Sequence, residues 1–288
     1  NREYLIDVSL MDDYPVTQDV AIRSEHIKAW VPVMRGCDNY CSYCVVPYVR
    51  GKEISRPPAD IIGEVQRLAQ EGYKEVTLLG QNVNSYKAPE ERNNPRTPFI
   101  KGDNRSDFAG LLEKINDVRG IERIRFVTSH PKDISDELIN CFGKLPKLCE
   151  YLHFPIQSGS DRILKMMNRK YTAQHYLEIV RKLWDKCPGI ALSTDIIVGY
   201  PTETEDDFEK TVEVMESIEY DSAYIFKYST REGTAAAKLA DDVPQKVKEE
   251  RNQVLLKLQE RISLKKNQAL VGKTVEILIE GPSARNPE

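Results

Sequence analysis

Six short apolar, β-branched runs, separated by stretches with helical spacing, constrain this chain more than any other feature. They are AWVPVM from Ala29, EVTLLG from Glu75, RIRFVTS from Arg123, YLHFPI from Tyr151, ALSTDIIVG from Ala191 and SAYIFKY from Ser222. Each has the length and residue types of a strand. Helical patterns lie between them. One opens at Pro57 and Pro58, carries Ile61, Ile62, Val65 and Leu68 on one face, and closes at Gly72. A strand–helix unit repeated six times implies a parallel sheet with crossover helices. Nearly continuous apolar runs imply strands covered on both faces. The expected fold is α/β: a partial, open (β/α)6 TIM-like barrel rather than the closed eight-fold form, with its core over residues 29–242.

Several segments stand outside the repeat. Residues 1–28 read as a linker, and the polar stretch 86–106 reads as a long loop of the functional or mobile kind. An amphipathic helix is expected over 243–270, carrying Val247, Val254, Leu255, Leu258 and Ile262. KTVEILIEG then alternates like a strand. A lone strand has no independent stability, so residues 271–288 are expected to open a further domain. The first residue is Asn rather than Met, which fits a piece of a longer chain.

The chemistry is concentrated in RGCDNYCSYC, which places Cys37, Cys41 and Cys44 within eight positions. Six cysteines in 288 residues do not make a disulfide framework. One tight cluster in a chain without a signal peptide or a membrane-length apolar run reads as a cytoplasmic protein with a metal or redox site. Lysine plus arginine number 41 against 45 aspartate plus glutamate, a net −4, so overall charge does not announce a nucleic-acid binder. Three thiolates suit an iron–sulfur cluster with one iron open to a small molecule. The competing arrangement is zinc with a fourth ligand such as His26 or His153. Cys141, Cys149 and Cys187 are irregularly spaced and read as buried small residues.

C-x-x-x-C-x-x-C after the first strand of a βα barrel resembles the radical S-adenosylmethionine (SAM) proteins. GCDNYCSYCVVPYVRGKEISRP, EVTLLGQNVNSY, RFVTSHP, FPIQSGSDRILKMMNRKYT and DIIVGYPTETEDDF resemble, in that order, the methylthiotransferases of this superfamily. The resemblance implies that Cys37, Cys41 and Cys44 hold a 4Fe-4S cluster whose open iron chelates SAM, giving a deoxyadenosyl radical on reduction. It implies SAM contacts from Tyr43, Gln81, Asn82, Gln157, Ser158, Asp195 and Gly199. Asp195 also needs a partner simply because it interrupts an apolar run. Arg50, Lys52, Arg56, Lys165, Arg169 and Lys170 would form a local basic rim for RNA phosphates, while His130 and His153 read as hydrogen-bonding groups.

The family further implies an N-terminal domain with a second, auxiliary 4Fe-4S cluster and a C-terminal RNA-binding β-barrel, the TRAM domain, begun by KTVEILIEG. It implies a reductant such as flavodoxin or ferredoxin, and no membrane partner. The expected activity is that of a transferase adding a methylthio group to C2 of isopentenyl-adenosine beside the tRNA anticodon. Threonylcarbamoyl-adenosine in tRNA and a ribosomal-protein aspartate are alternative substrates. A non-catalytic, zinc-containing RNA-binding module is the alternative of another class.

Overall fold

The computed structural model describes residues 27–89 and 107–281. All six expected strands form: β1 (Lys28–Pro32), β4 (Glu75–Leu79), β5 (Arg123–Phe126), β6 (Tyr151–His153), β7 (Ala191–Val198) and β8 (Ser222–Lys227). Between the first two lies a small ribbon, β2 (Met34–Arg35) and β3 (Ile54–Ser55). Two three-stranded parallel sheets, β1-β4-β5 and β6-β7-β8, follow chain order. A parallel bridge from Ile124 to Leu148 joins them, backed by the Cys149 amide donating to the Ile124 carbonyl at 3.0 Å. The described strands thus make a six-stranded open wall and no closed barrel.

The short α1 (Val46–Arg50) lies between β2 and β3, and the other helices pack around the strands: α2 (Pro58–Gln70), α3 (Phe108–Asn116), α4 (Asp136–Cys141), α5 (Asp161–Met166), α6 (Ala173–Lys186), α7 (Glu205–Ile218) and α8 (Gln245–Gln268). In α2, Ile61, Val65 and Leu68 are the buried positions, spaced at one helical face. Side-chain caps set the starts of α3 to α7: Asp107, Ser135, Ser160, Thr172 and Thr204 each accept from an amide one turn on. One core cluster runs from Ala29 on β1 to Ile262 on α8.

The final helix lies along β8, its buried stripe being Lys248, Arg251, Leu255, Leu258, Gln259 and Ile262. Asn252 Nδ2 donates to the Ile225 carbonyl at 2.9 Å, and Gln259 Nε2 to the Tyr220 carbonyl at 2.8 Å. Amides of the helix thus occupy carbonyls that an edge strand would leave open. Val254, expected on the apolar face, is 48% exposed.

Several expectations are corrected. Residues Lys273–Glu280 form no strand, because alternation alone supplies no partner ladder. Val275, Ile277 and Ile279 are exposed, while Glu280 and Glu276 reach Lys28 at 2.8 Å and Arg123 at 3.6 Å. β1 begins at Lys28, inside the expected linker. The rest of that linker up to residue 26, His26 with it, most of the 86–106 loop, and residues 282–288 fall outside the described residues. No helix among the described residues is long and apolar enough to cross a membrane.

Candidate functional site

The β2–β3 ribbon closes the loop that carries the three thiols, and it stands at the carboxyl ends of the parallel strands. Gly36 opens the loop at φ +76°, and a Cβ there would sit 1.9 Å from the Lys52 carbonyl oxygen. Backbone approaches so closely that glycine is required. The Gly36 amide donates to Gln81 Oε1 at 2.6 Å, and the Cys37 amide to the Gly51 carbonyl at 3.2 Å. Gly36→Ala is therefore expected to destabilise the fold by at least about 2 kcal/mol and to reduce iron uptake. A thermal melt and an iron assay check this, and wild-type values in both would refute it.

Each thiol meets an N–H donor. Asn39 Nδ2 donates to Cys37 Sγ at 3.6 Å, Arg169 Nη1 to Cys41 Sγ at 3.5 Å, and the Val46 amide to Cys44 Sγ at 3.4 Å. Donors aimed at sulfur favour the thiolate that iron binds. Burial opposes this: it pushes the Cys37 thiol up to about 11 and raises that of Cys44. Both thiols therefore keep their protons at neutral pH until metal replaces them. No three His, Cys, Asp or Glu side chains among the described residues gather tightly enough to grip a single metal ion. Mononuclear zinc needs such convergence, whereas a cubane takes each thiol at a separate corner.

The loop is clamped from across the barrel. Asn168, at φ +58°, donates from Nδ2 to the Tyr40 carbonyl at 2.9 Å and the Asn39 carbonyl at 3.3 Å. Ser42 donates its amide to the Met167 carbonyl at 3.0 Å, and its hydroxyl lies 2.8 Å from Tyr200 OH. Tyr43 packs, half-buried, against Ile163, Met167, Tyr200, Tyr228 and Ala236. Burial holds its phenol well above the usual range, with Arg169 opposing.

Arg169 is not on a basic rim. It is buried, donating from Nε to Tyr171 OH at 2.7 Å and from Nη2 to the Pro155 carbonyl at 2.9 Å. Its cation is spent inside the site, against Cys41 and two tyrosines. Arg56 is also engaged, donating to the Pro32 carbonyl at 2.6 Å and pairing with Glu64 at 2.8 Å. Arg50, Lys52, Lys165 and Lys170 are exposed.

The expected SAM contacts fall into two groups. Gln81 spends its side-chain oxygen on the cysteine loop. Ser158 is fully buried, with its hydroxyl near Thr211 and accepting from the Ser160 amide at 3.2 Å. This turn sits tight on α7: a Cβ on Gly159 would lie 2.3 Å from the Lys210 carbonyl oxygen. The Ser158 hydroxyl is thus engaged on the side of α7. Gln157, at φ +73°, exchanges backbone bonds with β7 through Asp195 and Ile197.

The second group keeps capacity to spare. Asn82 Nδ2 donates to Glu53 at 3.1 Å and Asp133 at 2.8 Å, while its Oδ1 is buried without a partner. Ser129 Oγ and His130 Nε2, at the end of β5, are likewise buried and unpartnered. Burial, reinforced by Arg169 and Lys132, pushes His130 down to about 2, so its ring is neutral at working pH. Asp195 has a partner, His153 Nε2 at 3.4 Å. That pair ends a polar belt inside the wall. Glu75 meets Arg125 at 3.2 Å, Arg125 lies over the Tyr151 ring, and Tyr151 OH is 2.6 Å from Ser193 Oγ, itself 2.9 Å from His153 Nδ1. The orphaned Asn82 Oδ1, the Ser129 hydroxyl and the His130 Nε2–H, a donor because Nδ1 accepts from the Lys132 amide at 3.1 Å, fit a ligand that offers both an ammonium group and acceptor oxygens.

Gly199 shows what residue-by-residue reading missed. Its amide donates to Glu203 Oε2 at 2.6 Å, and Arg251 Nη1 from α8 donates to the same oxygen at 2.8 Å. A Cβ on Gly199 would fall 2.3 Å from Lys248 Cγ. Glu203, Lys248 and Arg251 therefore fix this loop. The available signal was two cations in register with Leu255 and Leu258 on one helical stripe. Ser42 and Asn168 carried only a weaker one, Asn being a residue type that takes positive φ.

A parallel α/β half-barrel with three thiols at its carboxyl rim defines a cofactor-loading enzyme fold. The family model described as the Radical SAM superfamily matches residues 31–215, and the chain belongs to that superfamily. Its cofactors are accordingly a 4Fe-4S cluster and S-adenosylmethionine. The tRNA-2-methylthio-N(6)-dimethylallyladenosine synthase of Caldicellulosiruptor saccharolyticus is 54% identical over 99% of this chain and 58% of its own length. The synthase of the same name from Desulforamulus reducens is 49% identical over 100% and 60%. The chain thus spans under two thirds of these curated relatives. Among solved structures, coproporphyrinogen III oxidase from Escherichia coli matches with TM-score 0.57 at 14% identity, over 83% of this chain and 53% of that one. A radical S-adenosylmethionine methyltransferase from Kitasatospora setae matches with TM-score 0.54 at 16% identity, over 70% and 36%. These two share the fold.

Proposed function

We propose that this chain is the SAM-cleaving portion of a tRNA methylthiotransferase that modifies C2 of isopentenyl-adenosine beside the anticodon. The observation that carries the reading is identity of about half the residues, over essentially the whole chain, to synthases of that name. When bound, the cluster and SAM supply one-electron reduction and hydrogen abstraction. The chain's own residues bind and orient. Cys37, Cys41 and Cys44 anchor the cluster, and Asn82 Oδ1 accepts from the ammonium of SAM. Asp195 and the Gly199 turn stand along its nucleoside, and Tyr43 shields the pocket from water. Arg50, Lys52, Lys165 and Lys170 meet phosphates of the anticodon stem-loop. The protein works in the cytoplasm and takes electrons from a small donor such as flavodoxin or ferredoxin.

Mass spectrometry of tRNA nucleosides from cells lacking the parent gene tests this. The methylthio form of isopentenyl-adenosine should vanish, its unmodified precursor accumulate, and both return on complementation. Loss of a methylthiolated threonylcarbamoyl-adenosine instead, or of a modified ribosomal aspartate, overturns the substrate assignment.

A further inference from the structure

Two large rings on the thiol loop face outward beside the metal ligands. Tyr40, between Cys37 and Cys41, is 44% exposed, and Tyr48, on α1 just after Cys44, is 53% exposed. Their centroids are 5.9 Å apart with planes at 79°, an edge-to-face pair. Tyr40 is held at φ +47°, and Asn168 clamps the carbonyls of Asn39 and Tyr40. A non-glycine residue at positive φ is costly unless its surroundings enforce it. Here they enforce a backbone that leaves an aromatic ring half exposed, packed edge-to-face on Tyr48.

Exposed cations accompany these rings, with Asp38 the one exposed carboxylate of the three-thiol segment. Arg50, Lys52, Lys165, Lys170 and Arg231 are exposed and form no ion pair among the described residues. Arg231 is close enough to Cys44 to oppose the rise of its thiol. Several exposed lysines elsewhere are matched: Lys182 with Asp136, Lys210 with Asp206, Lys227 with Glu249 and Lys265 with Glu219. Unmatched cations beside solvent-facing rings complement a polyanion that also offers flat π faces. Single-stranded RNA has both.

We infer that Tyr40 and Tyr48 form a stacking platform for unpaired bases of an RNA loop, with Arg50 and Lys52 holding the adjoining phosphates. The inference rests on the tRNA reading and adds to it the surface that grips the bases flanking the reacting one. Stacking on the loop that carries the thiols orients the strand, so that a neighbouring base is delivered to the barrel mouth.

The test uses the cluster-loaded chain and two fluorescent RNAs, a hairpin with a single-stranded loop and a fully paired duplex. Wild type should prefer the hairpin. Tyr40→Ala with Tyr48→Ala should weaken hairpin binding by about tenfold or more, and the two Tyr→Phe changes should leave it within about twofold. Arg50→Gln with Lys52→Gln should lower the slope of log affinity against log salt by about 1.4, while the alanine pair keeps the wild-type slope. Tyr48→Ala alone, outside the three-thiol segment, guards against misassembly at Tyr40, and iron content is checked for each protein. Unchanged hairpin affinity in the alanine variants at full iron content overturns the platform while leaving the tRNA reading intact. Slower reduction by flavodoxin with unchanged hairpin affinity also overturns it, and assigns the surface to the electron donor. A wild type that binds neither RNA overturns the tRNA reading itself, and the platform with it.

Discussion

Cys41→Ser is expected to yield a chain that retains no cubane. After anaerobic reconstitution, iron should fall from about four per chain to near zero, and the brown absorbance should disappear. Cys37→Ser and Cys44→Ser should do the same. Cys41 has the strongest claim of the three. It is buried, both other thiols feel its charge, and Arg169 donates to its sulfur. A hydroxyl in its place offers iron a poor ligand and leaves a buried guanidinium without its sulfur acceptor. The scattered cysteines make the control. Cys141 and Cys187 are buried in the apolar core, so their replacement by alanine should leave iron unchanged. Full iron in Cys41→Ser, or lost iron in Cys187→Ala, would contradict this assignment. Wild-type iron of about eight per chain would mean a second cluster built from the outlying cysteines.

Arg251→Met should be the most damaging substitution away from the thiols. The Glu203 carboxylate is 1% exposed and holds the Gly199 amide, with Arg251 as its counter-charge. Removing that cation strands a buried carboxylate, which costs about 3–5 kcal/mol. For a chain of this size the melting temperature should drop roughly 5–8 °C. The pH dependence has a definite sign. Burial already raises the Glu203 carboxyl above its ordinary 4.5, although the Gly199 amide and Arg251 pull it down. A raised carboxyl favours folding below its unfolded value and loses that contribution as pH climbs through the folded one. Without Arg251 the folded value rises further, so the variant's deficit should grow between about pH 4.5 and neutrality. Adding Glu203→Gln should recover most of the loss, because no charge is then left unpaired. A deficit that is flat with pH, or not recovered by the double change, would show that Arg251 acts through packing alone.

The strand order was legible because each of the six runs combines β-branched residues with flanking turn signals, so local and global preferences agree. The β2–β3 ribbon was not legible: two-residue strands have no periodicity to detect. The alternation in Lys273–Glu280 was real, but a strand needs a partner ladder and pattern alone supplies none. The three thiols were readable from spacing alone. Their surroundings were not, since the Arg169–Cys41 contact joins positions 128 apart. Beside Lys170, Arg169 looked like solvated charge until tertiary packing enclosed it. Gln81 and Ser158 were ambiguous in the same way. Amide and hydroxyl groups serve ligands and backbone equally well, and here the loop and the turn claimed them first.

The final helix has a mechanical consequence. Its 24 residues extend about 36 Å, from the Gly199 turn at one rim, past Tyr220, to the Lys266–Asp221 pair near the start of β8 at the other. The turn at Gly199 is thus splinted rather than hinged. It cannot swing outward unless the whole rod lifts from the wall, so this side of the mouth shares the opening free energy of α8 and not that of an ordinary surface loop.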